Sequence, residues 1–102
     1  MNTLLLTAIL LSYNVVIEEI GEDCVFDGIP LSGKVKIVES FPDITVKKVT
    51  SFPDLKVKLV SSFADDCGEW QIVESFPDFT IQYVSSFADI EVQIVDSFPG
   101  LP

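Results

Sequence analysis

The chain has 102 residues, 48% of them hydrophobic, and carries sixteen acids against six Lys for a formal charge of −10. That length is one domain with apolar residues enough for a core. The acidic balance excludes nucleic acid and anionic membrane as partners, because both require a basic face.

Residues 1–34 do not repeat and are expected to form an N-terminal cap. Leu4 to Leu11 is an apolar run broken only by Thr7 and Ala8. It is too short to cross a bilayer. No Lys or Arg precedes it and no A-x-A site follows it, so a folded cap over the array is expected, with a cytoplasmic protein. An atypical signal peptide over residues 1–20, and hence export, is the alternative. Val15-Val16-Ile17 favours strand, Asp27-Gly28 signals a turn, and Ile29 to Gly33 reads as loop.

Residues 35–102 are one phrase written six times, V-x-φ-V-x-S-F-P/A-D-φ-x, with φ apolar. The copies begin at Val35, Val46, Val57, Trp70, Ile81 and Val92. The step is eleven residues, except for thirteen between the third copy and the fourth. Val38, Val49, Val60, Val73, Val84 and Val95 form one column. Ser40, Ser51, Ser62, Ser75, Ser86 and Ser97 form a second, and Phe41, Phe52, Phe63, Phe76, Phe87 and Phe98 a third. Such fixed-period copying marks an array of repeated structural units.

Pro follows Phe in four copies, which excludes a long helix. Ile44-Thr45-Val46-Lys47 alternates as a half-buried strand does. Phe-Pro-Asp then supplies a turn. The expected fold is all-β: a narrow β-solenoid of six coils, each resting on the last, with an antiparallel meander as the alternative. In the solenoid like residues stack on like at about 4.8 Å. The Phe column then fills the interior, and the two extra residues of the third copy bulge outward. Lys36, Lys47 and Lys58 align with Gln71, Gln82 and Gln93, so a stacked rod is basic over its first half and acidic over its second.

The repeat resembles an uncharacterised bacterial family of short tandem β-repeat proteins. Its units read V-x-x-V-x-x-x-x-x-A-D, with one longer central unit ending in G-x-W. Val84 to Asp89, Ala64-Asp65 and Gly68-Glu69-Trp70 carry the likeness, which covers residues 35–102. The resemblance implies an architecture and no chemistry, and many members look exported.

The residues read as non-enzymatic. There is no His to act as a base and no Arg to hold an anion. The Ser and Asp columns read as turn residues. No calcium-loop spacing occurs, and two Cys without His make a poor zinc site, so no metal or cofactor is expected. Cys24 and Cys67 are expected as free thiols, with a disulfide as the alternative in an exported protein.

What remains is a surface for a basic partner protein. The candidate acidic face comprises Asp65, Asp66, Glu69, Glu74, Asp78, Asp89, Glu91 and Asp96. The most specific form of this reading is an immunity protein that neutralises a basic, nuclease-type toxin. The alternative is an exported structural or envelope protein that self-associates through its strand edges.

Overall fold

The computed structural model describes residues 19–102. Leu4–Leu11 and Val15–Ile17, expected in the cap, lie outside the described residues. Each copy contributes one short strand, because β-branched and aromatic residues alternate with polar ones over the length of a strand. A small hairpin comes first, β1 (Val25–Phe26) and β2 (Ile29–Pro30), with Phe26 paired to Ile29. Asp27 and Gly28 turn it with φ of 50° and 79°, the geometry that suits a tight hairpin. The copies follow as β3 (Gly33–Ile37), β4 (Ile44–Lys48), β5 (Leu55–Leu59), β6 (Glu69–Ile72), β7 (Phe79–Tyr83) and β8 (Ile90–Ile94).

These last six strands close into a barrel in the order β3-β6-β5-β8-β4-β7, and every pairing is parallel. The described chain is therefore all-β, and the antiparallel meander is excluded. Consecutive coils do not rest on one another as expected, however. β3, β4 and β5 take alternate places round the ring in a first circuit. β6, β7 and β8 fill the gaps in a second. Within the barrel, consecutive strands are neighbours only at β5 and β6, where Lys58 pairs with Glu69 and Leu59 with Trp70. That is where the thirteen-residue step falls. The extra residues shift the path by one place, so the second circuit interleaves with the first instead of retracing it.

Each strand is displaced from its neighbour by two residues in one constant sense, as in Gly33 opposite Trp70 and Phe79 opposite Val35. The strands are consequently steeply tilted, and equivalent positions lie at equal height about the axis. The sequence columns are thus rings, not ladders. Alternate residues point inward. The lowest inward ring is Gly33, Gly68, Leu55, Ile90, Ile44 and Phe79. The next is Val35, Trp70, Val57, Val92, Val46 and Ile81, all fully buried.

Gly33 opens β3 and Gly68 immediately precedes β6, and the cap is bonded to the chain at Gly68 and Trp70. The Leu31 carbonyl accepts from the Gly68 amide at 3.0 Å and from the Trp70 indole Nε1–H at 3.2 Å. Cys24 and Cys67 are bonded as a disulfide, with Cα atoms 5.9 Å apart. The expected free thiols are corrected: the interleaved path carries Cys67 to the same end of the barrel as the cap. Instead of bulging outward, the longer third copy reaches the barrel end and supplies Cys67 and Gly68 there.

The repeating Asp does more than shape its own turn. The Asp78 carboxylate accepts the Lys34 amide, Asp89 that of Thr45, Asp43 that of Thr80 and Asp54 that of Glu91, at 2.7–2.8 Å. Each of these Asp residues sits just before its own strand and clasps the start of the next strand round. The amides of Asp54, Asp78 and Asp89 also donate to the carbonyls of Glu91, Lys34 and Thr45. Asp65 makes no such clasp; its amide bonds to the Phe63 carbonyl at 2.9 Å. Beside it, Lys56 and Gly100 exchange backbone bonds at 2.8 and 2.9 Å, which covers the part of β5 that β6 leaves unpaired. Asp54→Ala is expected to cost about 1–2 kcal/mol, because a strand-end amide loses a charged acceptor. Asp54→Asn should recover most of that loss in urea unfolding. Equal stability of Asp54→Ala and wild type would show that the clasp contributes nothing.

Candidate functional site

The six repeat Phe residues do not fill the interior. Phe41, Phe52, Phe63, Phe76, Phe87 and Phe98 are between 84% and 101% exposed. The inward positions of the strands already fill the barrel, so the connections are left outside it. Phe26, by contrast, is buried in the cap. Every repeat Phe also has a positive φ of 52–57°. That left-handed conformation costs a non-glycine residue about 1–2 kcal/mol. In four copies the next residue is Pro, which restricts the Phe backbone further. Gly or Asn would make the same turn more cheaply. The preceding Ser ring is exposed as well. Among the described residues, six Phe rings thus face solvent, one in each connection and one after β8, on strained backbone that the packing of those residues does not explain.

Interleaving also removes the expected charge gradient. Lys36, Lys47 and Lys58 lie on first-circuit strands and Gln71, Gln82 and Gln93 on second-circuit strands, so the two types alternate round the barrel. Lys47 is registered opposite Glu91, and Lys58 opposite Glu69, pairings of opposite charge that favour the sheet.

The candidate acidic face is likewise distributed. Asp65 and Asp66 lie between β5 and β6, Glu74 and Asp78 between β6 and β7, Asp89 between β7 and β8, and Asp96 beyond β8. Asp78 and Asp89 are held in clasps, Glu69 Oε1 accepts the Asp66 amide at 3.0 Å, and Glu91 is half-buried within β8. Asp65, Asp66, Glu74 and Asp96 are exposed. Among the described residues, no cluster of acids, His or Cys is arranged to hold a metal ion, and no helix is long and apolar enough to cross a membrane. The closed ring leaves none of its six strands with a free edge, and among the described residues open strand edges remain in the β1-β2 hairpin.

A family model described as the 7(1) septoil knot domain matches residues 28–102. This chain belongs to the septoil knot family. The description as a knot agrees with a path in which the second circuit threads its strands between those of the first. An uncharacterised protein of Synechocystis sp. (strain ATCC 27184 / PCC 6803 / Kazusa) is 69% identical over 48 residues, or 47% of this chain and 43% of that protein. The matched part is thus under half the relative's length. Both comparisons support an uncharacterised bacterial family.

The upper mouth of this septoil knot barrel is ringed by the third inward position of each strand: Ile37, Ile72, Leu59, Ile94, Lys48 and Tyr83. Ile37, Ile72, Leu59 and Ile94 are 39–49% exposed, because the barrel opens above the second ring. Lys48 Nζ lies 4.4 Å from the centroid of the Tyr83 ring. Burial pushes the Tyr83 phenol above its usual range. Sequence reading missed this pair, since Lys48 and Tyr83 meet only through the interleaving of the second copy with the fifth.

Proposed function

We propose that this septoil knot protein is a non-catalytic binding module that holds a partner protein through its displayed Phe side chains. The observation that carries the reading is six exposed Phe residues on left-handed backbone. Strain of this kind persists where a side chain is wanted for something outside the fold, and large apolar side chains held out in solvent are available to a partner. The tilted, closed and disulfide-tied barrel supplies a stiff frame, which lowers the ordering cost of association.

The Cys24–Cys67 bond favours the exported alternative over the cytoplasmic one, because disulfides persist in oxidising compartments. The A-D and G-x-W signature of the repeat is taken as a mark of the family. Toxin neutralisation is the more specific version of the binding role. The charge of −10 supports it, through steering of a basic partner.

The test is substitution of all six Phe by Asn, which tolerates positive φ. The variant is expected to fold with stability equal to wild type or higher by about 1–3 kcal/mol, since strain is relieved and little packing is lost. It should lose association with partners captured by the wild-type protein from the envelope or secreted fraction of its host. A drop in melting temperature with binding unchanged would show that the Phe residues serve the fold.

A further inference from the structure

We infer that the barrel mouth between the ends of β4 and β7 is a binding site for a small anion with a flat apolar body, such as an aromatic carboxylate or sulfonate, seated on Lys48 and Tyr83. The repeat supplies its own control. At this ring position four copies carry Ile or Leu, so the fold is satisfied there by an aliphatic side chain. Only the second copy departs to Lys and only the fifth to Tyr. The winding of the chain sets these two departures side by side.

The groove they form is lined by Lys47, Lys48, Tyr83, Val84 and Ser85. Two of the chain's six Lys are therefore gathered in one groove of an otherwise acidic molecule. Lys47 has Glu91 opposite it in the ladder. Lys48 is registered against Val92, and its ammonium lies over the Tyr83 ring within the groove lining. The ammonium and the Ser85 and Tyr83 hydroxyls suit an anionic head. The Tyr83 ring and Val84 suit a flat apolar body. This composition, mostly apolar with a few convergent polar groups, is that of small-molecule sites. The site is separate from the Phe positions and does not depend on the proposal made for them.

Anilinonaphthalene sulfonate is the probe, with uncharged phenylnaphthylamine as its control, followed by titration calorimetry and amide NMR shifts on the full chain. The sulfonate is expected to saturate one site, shift the amides of Lys48 and Tyr83 to Ser85, and bind at least about tenfold more tightly than the amine. Lys48→Ile and Tyr83→Ile restore the residue type of the other copies and should keep the fold. Each should weaken the sulfonate by about tenfold or more, while Lys48→Arg retains it. Phe52→Asn should leave its affinity unchanged. No saturable binding, equal affinity for the amine, or an affinity that follows Phe52 and not Lys48 would overturn the assignment.

Discussion

Replacing Cys24 and Cys67 together by Ala is expected to cost about 4 kcal/mol of stability. The bond spans 43 residues, and closing a loop of that length removes much chain entropy from the unfolded state. Its placement adds to the effect. One end holds the cap hairpin, followed by Leu31, which is 1% exposed and whose carbonyl accepts from Gly68 and Trp70. The other lies in the β5–β6 connection, where the first circuit passes into the second. Without the bond the cap keeps its Leu31 hydrogen bonds but is no longer tethered to the seam. Guanidinium unfolding with and without reductant measures this: reduced wild type should match the double Ala variant. A loss under about 1 kcal/mol in both would show that the cap is held by packing alone.

Trp70→Ala is expected to cost about 3–5 kcal/mol, the range for deleting a fully buried aromatic. Trp70 is the single large member of a ring otherwise made of Val and Ile. Its indole Nε1–H donates to the Leu31 carbonyl at 3.2 Å. Phe79 meets its edge with ring centroids 5.7 Å apart. Gly68 cannot compensate by growing: at φ 82° an added Cβ would run into the Lys56 carbonyl and approach the Gly100 amide at 2.7 Å. Trp70→Val, although it restores the residue type of the ring, should also destabilise, because it leaves a void in the core and removes the indole donor from the Leu31 carbonyl. Thermal unfolding of the two variants decides this. A neutral Trp70→Val would mean that the core closes over the space of the indole at no cost.

Much of the local design is legible in the residues. Ile44, Val46, Leu55, Val57, Ile90 and Val92 alternate with polar neighbours, and all point into the core. Asp27-Gly28 turns as its composition indicates. The break at Asp66–Glu69 does divide the copies into three and three. The Phe ring was misread because hydrophobicity at a fixed column normally signals burial, and nothing local distinguishes an interior Phe from one held outward by a left-handed turn. The Asp residues were read as turn formers, but their acceptor role joins residues 37 and 44 positions apart, beyond the reach of a local pattern. Lys48 and Tyr83 show as departures from their column in the text, a signal that could have marked them. Their contact could not be read there.

The sequence by itself determined the six strands, the turns between them and the alternation of inward and outward residues along each strand, because each follows from alternation, turn chemistry and composition within a dozen residues. The tertiary structure alone decided which copy lies beside which, and with it the charge pattern, the disulfide and the mouth site. Backbone ladders form between any two similar strands, so near-identical copies do not specify their own neighbours. That choice belongs to closure of the whole ring, in which the longer third step lets the second circuit fill the gaps of the first and leaves no strand of the barrel unpaired.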